Sequence, residues 1–257
     1  PTGFARCRQA VDETAGVVVR SGNDFTATYY TASNGGQTES IRNAWGTEGL
    51  SYLGVKDDPY DLLETVAEQR SFFISKSGQQ TNTVLGKLME NKLNTAYGSG
   101  AVMTGVTEVT LTNPRYEAPS RLYTKLQMAV RYRLNGKEQE GVLIFGVFEE
   151  LEGPLSMSIN STANELWHVE ESDAGFTVIA RRYGHGIGMS QRGALQMARM
   201  GMTYDQILAY YYEGCARVKY TLKGSAAAAK TGSGSEEKGQ NTRSEERRVG
   251  KECRSRW

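Results

Sequence analysis

Thr124-Lys-Leu-Gln-Met-Ala-Val-Arg-Tyr-Arg-Leu134, Asn135-Gly136 and Glu138-Gln-Glu-Gly-Val-Leu-Ile-Phe-Gly-Val-Phe148 decide the fold class. Two runs rich in β-branched, aromatic and aliphatic residues flank an Asn-Gly dipeptide, the pair that tolerates the positive φ angles of a tight hairpin turn. Similar runs lie on either side, at Val102 to Leu111 and Leu155 to Ile159, with Ser71-Phe-Phe-Ile-Ser75 before them. Helical spacing occurs at Val84, Leu85, Leu88, Met89 and Leu93. The middle region, about 62–165, is therefore expected to be mainly antiparallel sheet with one or two helices. The fold class predicted is α+β, with a mainly antiparallel β-sheet or barrel-like core and a few short helices.

Working outward toward the C-terminus, Trp167-His-Val169 and Phe176-Thr-Val-Ile-Ala180 read as a second hairpin around Asp173-Ala-Gly175. It feeds into Arg182-Tyr-Gly-His-Gly-Ile-Gly-Met-Ser-Gln-Arg-Gly-Ala194. Gly184, Gly186, Gly188 and Gly193 remove the Cβ at four points of this stretch, which lets the backbone bend sharply and approach another chain or a ligand. It carries His185, one of only two histidines in the chain, so few residues can do imidazole chemistry here. Ser190 suits the N-cap of a short helix ending at Gly201, placing Ser190, Gln191 and Arg192 where free N–H groups favour oxygen-rich ligands. Thr203-Tyr-Asp-Gln206 is a capping-box signature for a further helix ending at Gly214, and Cys215 to Leu222 reads as a closing strand. Such a glycine loop also serves as a tight connection, and His168 reads as a packing or surface residue.

Toward the N-terminus, Ala10 to Tyr30 reads as two short β segments around a Gly-Asn turn. They deliver the chain to Tyr30-Thr-Ala-Ser-Asn-Gly-Gly-Gln-Thr-Glu39. A surface turn is the ordinary reading of such a composition. The functional one is a polyhydroxyl-ligand surface, with Ser33, Asn34, Gln37, Thr38 and Glu39 as hydrogen-bonding groups and Tyr29, Tyr30 and Trp45 as faces for sugar rings. Glu39 is the acid or base candidate of this loop. Asp57, Asp58 and Asp61 lack EF-hand spacing and read as turn and cap residues.

Composition narrows the function. Thirty Lys and Arg against 29 Asp and Glu leave a net charge of +1, so no global field points to nucleic acid or an anionic membrane. Gly-x-Gly-x-x-Gly after a strand and the P-loop Gly-Lys-Ser/Thr are both missing, which disfavours nucleotide binding. Two His and three Cys without close spacing give poor support to a zinc site, and no metal or cofactor is expected. Cys7 and Cys215 can pair or remain free. No apolar run reaches spanning length. The chain opens on Pro1, as expected of one lacking its N-terminal part. From Lys223 onward the composition turns polar, so 223–257 is expected to be disordered and, by its Arg243–Trp257 stretch, non-native.

Three stretches in order carry a family resemblance: Ala10-Val-Asp-Glu-Thr-Ala-Gly16; Tyr30-Thr-Ala-Ser-Asn-Gly-Gly-Gln-Thr-Glu39 with Ala44-Trp-Gly46; and Gly184-His-Gly-Ile-Gly-Met-Ser-Gln-Arg-Gly-Ala194 with Tyr204 to Gly214. Over about residues 5–222 the chain resembles the stage II sporulation protein D (SpoIID) family, whose relatives include the amidase enhancer LytB. The resemblance implies one SpoIID/LytB-like domain over 1–222, located outside the cytoplasmic membrane or in the cell wall. It implies peptidoglycan glycan strands as partner, with a cell-wall amidase as a second partner. Its sporulation member is a lytic transglycosylase that cleaves the MurNAc–GlcNAc bond and leaves a 1,6-anhydro sugar. The catalytic Glu is expected in a Glu-Met-Pro-type motif upstream of Pro1, and a membrane anchor is likewise expected only there. The substrate-binding residues implied are Tyr30, Ser33, Asn34, Gly35, Gly36, Thr38 and Glu39 from one loop, with Gly184, His185, Gly186, Gly188, Met189, Ser190 and Gln191 from the other. The alternative is a non-catalytic glycan-binding module that stimulates a separate amidase. A third is a structural assembly protein.

Overall fold

The computed structural model describes residues 3–63 and 69–221. In chain order these form α1 (Gly3–Glu13), β1 (Val17–Ser21), β2 (Asp24–Phe25), β3 (Tyr30–Thr31), α2 (Ile41–Trp45), α3 (Pro59–Leu62) and β4 (Gln69–Ser75). Then come α4 (Thr83–Tyr97), β5 (Val102–Pro114), β6 (Tyr123–Leu134), β7 (Lys137–Gly146) and a π-helical turn (Val147–Leu151). The last elements are β8 (Leu166–Glu171), β9 (Gly175–Arg181), β10 (Met189–Ser190), α5 (Gln191–Arg199), α6 (Tyr204–Tyr211) and β11 (Ala216–Lys219). The expectations for 223–257 lie outside the described residues.

The chain divides into two units, Pro1–Val19 with Arg217–Trp257, and Arg20–Ala216. In the smaller unit α1 buries none of its side chains, and the Tyr220 N–H donates to the Gly16 carbonyl at 2.7 Å. Ala10 and Val11 lie in this helix and not in the β segment expected from Ala10. The helix runs to Glu13, where Thr14 and Gly16 turn the chain into β1.

In the larger unit the Asn135-Gly136 turn forms as predicted, with φ of 51° and 79°. β5, β6 and β7 make one antiparallel sheet in that order; β4, β9 and β8 make a second. Alternation places Leu126, Met128, Val130 and Tyr132 of β6 inward, against Leu143 and Phe145 of β7. Leu85, Met89 and Leu93, one face of α4 at spacings of four, close the same core with Phe72, Ile74, Phe176 and Val178 of the second sheet. Fully burying an aliphatic side chain of this size is worth about 1.5–3 kcal/mol, so this cluster dominates the unit's stability. The fold is mixed α+β with antiparallel sheets.

The barrel-like expectation is corrected: among the described residues each sheet is open and at most three strands wide, too narrow for its edges to meet. The strand expected at Leu155 to Ile159 is also absent. After Gly146 the chain enters the π turn, in which the Glu152 N–H reaches the Val147 carbonyl at 2.9 Å, and it continues through turns with Ser156 at φ 55°. No described helix is long and apolar enough to cross a membrane. Cys7 is exposed and Cys215 buried, and no disulfide joins them.

Candidate functional site

The two glycine-bearing loops lie side by side. β3 pairs in parallel with β10, Ser33 and Tyr183 exchange backbone hydrogen bonds at 3.0 and 2.9 Å, and the Glu39 N–H donates to the Gly186 carbonyl at 2.8 Å. Glycine makes the approach possible: Gly188 has φ 70°, and a Cβ there would sit 2.0 Å from the Tyr29 carbonyl oxygen. Segments about 150 residues apart in sequence thus become one backbone lattice.

Beneath that lattice lies a buried polar scaffold. Asp61, 1 % exposed, accepts from Ser33 Oγ at 2.8 Å and the Gly35 N–H at 2.9 Å on Oδ2, and from Ser190 Oγ at 2.5 Å on Oδ1. Ser190 Oγ also accepts from the Gly193 N–H, so one hydroxyl ties the second loop to Asp61 and caps α5. Asp58, which caps α3, accepts from Asn34 Nδ2 at 2.7 Å and the Tyr211 hydroxyl at 2.6 Å. Burial pushes the Asp58 carboxyl up from its ordinary range, against these hydrogen bonds, and pushes the Tyr211 hydroxyl up as well.

Arg182 is the cation of the scaffold. Its side chain is fully buried; Nε donates to the Asn34 carbonyl at 3.1 Å and the two terminal nitrogens donate to the carbonyls of Gln37 and Asn164 at 3.0 and 3.3 Å. Burial lowers its pKa to about 10, opposed by the charges of Glu39, Asp61 and Glu165, so the guanidinium stays charged at neutral pH. Glu39 pairs with it at 3.8 Å and accepts from Ser120 Oγ at 3.0 Å, the Ser40 N–H and Asn43 Nδ2. The Asn43 contact and the Ser40 cap fix the single helical turn of α2, which ends on Trp45.

The solvent-facing part is aromatic. Trp45, 43 % exposed, packs its ring 5.2 Å from that of His185 and edge-on to Tyr29 at 4.9 Å; Tyr30, the next residue in the chain after Tyr29, is 58 % exposed. His185 Nδ1 accepts from the Ile187 N–H at 3.0 Å, which leaves the proton of the neutral ring on Nε2, and the ring also hydrogen-bonds to the Tyr30 backbone. Burial lowers the pKa of this imidazole, with Arg182 adding in the same direction. Both nitrogens are engaged by backbone, so His185 offers a ring edge and face and no free base.

The residues singled out in the sequence therefore divide by depth. Ser33, Asn34, Gly36, Thr38, Glu39 and Ser190 are buried, Thr38 through bonds with the carbonyl of Gly54 and both backbone groups of Lys56. Gly184, Gly186 and Gly188 are buried backbone, and Gly35 is half-buried. Tyr30 and Gln191 are exposed, with His185 and Met189 half-buried. Sequence reasoning did not select Asp58, Asp61, Arg182 or Tyr211 as members of the site. Asp58 and Asp61 were legible only as cap residues; the usable signal was an Asp-rich turn in a chain whose polar loops need buried acceptors. Among the described residues no group of three or more His, Cys, Asp or Glu is arranged to hold a metal ion.

No family model matches the chain. It is 27% identical over 240 residues to the amidase enhancer of Bacillus subtilis (strain 168), covering 82% of this chain and 32% of that protein. It is 27% identical over 214 residues to stage II sporulation protein D of the same organism, covering 83% of this chain and 51% of that protein. Stage II sporulation protein D of Bacillus amyloliquefaciens is 24% identical over 207 residues, 80% of this chain and 48% of that protein. The chain spans about a third to a half of the length of these relatives. The Asn-Gly-Gly and Gly-His-Gly motif blocks sit in the two loops that pair, and the matches run over four-fifths of the sequence, which supports assignment of the chain to the SpoIID/LytB family.

Proposed function

We propose that this chain is the glycan-holding part of a sporulation-related cell-wall protein acting on peptidoglycan strands outside the cytoplasmic membrane. The observation that carries this reading is the exposed rim of Tyr29 and Trp45 beside His185, with exposed Tyr30 next in the chain, on a scaffold whose polar groups are already bonded internally. Sugar rings present apolar C–H faces that pack on aromatic rings while their hydroxyls stay hydrated, and a rim on a rigid base binds without paying to order loops. Gln191, exposed at the start of α5, and Tyr183, exposed two residues before His185, are the further polar side chains that this reading enlists.

In a lytic transglycosylase of the SpoIID kind, one carboxyl protonates the glycosidic oxygen and then takes the proton of the sugar's own 6-hydroxyl. Glu39 does not fill that role, being 1 % exposed and held by Ser120, Asn43 and Arg182. Asp58 and Asp61 are equally enclosed. In this reading the acid comes from outside the rim, and these residues bind and orient the strand. The second reading, a non-catalytic module that stimulates a separate amidase, is favoured by the match to an amidase enhancer and by the enclosure of those three carboxylates.

Incubation with purified glycan strands, with mass spectrometry of the products and a pull-down in parallel, separates the two. Anhydro-sugar ends support the transglycosylase; retention without them supports the enhancer; neither retention nor cleavage would sink the glycan reading altogether.

A further inference from the structure

A third loop, residues 158–165, braces the His185 loop from behind. Asn160 Nδ2 and Asn164 Nδ2 both donate to the Gly184 carbonyl, at 3.2 and 3.0 Å, and the Asn164 carbonyl accepts from Arg182 at 3.3 Å. The loop holds two non-glycine residues at positive φ, Ser161 at 58° and Ala163 at 50°, a conformation that needs support from its surroundings. That support is Glu165, fully buried. Its Oε1 accepts from the backbone N–H groups of Ile159 at 2.8 Å and Asn160 at 3.4 Å, and its Oε2 from that of Asn164 at 3.1 Å.

Against Glu165 stands a second carboxyl, Glu152, directly after the π turn. The two side chains hydrogen-bond to each other, and Glu152 Oε1 is buried with no hydrogen-bond partner. Two carboxylates cannot share a hydrogen bond, so one must carry a proton. Glu165, already accepting from three backbone donors, is the better place for the negative charge; Glu152 is then the acid, donating its O–H to Glu165.

We infer that Glu152 and Glu165 form a proton-sharing positioning pair that clamps residues 158–165 against Gly184, and so makes the placement of His185 in the rim depend on one proton.

Other charged groups around the pair set its balance. Arg115 faces Glu152 and donates to the Ala163 carbonyl at 2.7 Å; Arg182 faces Glu165, and Arg182 itself faces Glu39 and Asp61, with Tyr116 nearby. Burial first, and then Glu165, raise the Glu152 carboxyl to about 7, against Arg115. The folded value lies above the unfolded one, so the contribution to stability is full below the ordinary glutamate range and is lost as pH rises toward about 7. Above that, two adjacent carboxylates repel and the clamp loosens. The link to sugar binding rests on the reading proposed above; the clamp itself does not.

Amide hydrogen exchange at Ile159, Asn160 and Asn164, followed from pH 6 to 8 without ligand, tests the pair. Exchange should rise about tenfold beyond the intrinsic base-catalysed increase, the factor that accompanies one pKa unit. Glu152→Gln, which keeps a hydrogen-bond donor at every pH, should flatten that excess. Arg115→Met, an exposed change, should move its midpoint to higher pH. Absence of the excess in the unmodified protein, or an identical profile in Glu152→Gln, overturns the inference whatever the glycan result. Glycan retention over the same pH range should fall with the clamp. If the exchange profile follows the proton but no glycan is retained at any pH, the inference stands and the sugar-binding reading fails.

Discussion

Arg182 shows at the scale of one residue why the interior of this site is polar. It neutralises Glu39 and satisfies three backbone carbonyls at once. Replacing it by Met would leave a buried carboxylate without its cation and three acceptors without a donor, a loss of about 3–5 kcal/mol for a broken buried pair. The urea midpoint of Arg182→Met should fall accordingly; an unchanged midpoint would show that water replaces the guanidinium. His185 carries a different signature. Its pKa is lowered in the fold, so it contributes stability above the ordinary histidine value that is lost as pH falls through it, when protonation removes the acceptor for the Ile187 N–H. Glu152 titrates in the opposite sense, so the clean readout is the difference from His185→Gln: the stability gap between the two proteins should narrow as pH drops below about 6.5. A gap independent of pH would mean that His185 is not held neutral.

Among the elements, those with strong local signals were legible in the sequence. The Asn135-Gly136 hairpin, the Asp173–Gly175 hairpin, the apolar stripe of α4, the Ser190 cap and the Thr203–Gln206 capping box all formed. Thr203→Ala should cost about 1 kcal/mol through loss of the cap, read from thermal unfolding, with little effect at the rim. Apart from α1, which buries no side chain, the elements missed were ones whose cause is not local. α2 and α3 are single turns fixed by Ser40, Glu39 and Asp58, too short for any periodic pattern. The π turn at Val147–Leu151 interrupts what reads as continuous strand, because Gly146 and the buried Val147 and Leu151 follow the core and not the ladder. The depth of Ser33, Asn34 and Glu39 was equally hidden: small polar residues beside glycines look exposed until Asp58, Asp61 and Arg182 arrive to satisfy them.

For the molecule as a whole, the larger unit divides the work. The two three-stranded sheets and α4 supply the apolar core, and the paired loops with α2, α5 and α6 supply a polar-cored platform with an aromatic rim. Side-chain truncation at the rim should affect binding far more than folding: Trp45→Ala should reduce retention on glycan strands while the melting temperature stays within a few degrees, since surface changes are usually within about 0.5 kcal/mol. The most direct test of the central claim is an NMR titration of the protein with purified, soluble glycan strands. Shifts should concentrate at Tyr30, Trp45, His185 and Gln191, with the outer face of β5 to β7 unmoved. Saturable shifts confined to that sheet, with the two loops silent, would contradict the account.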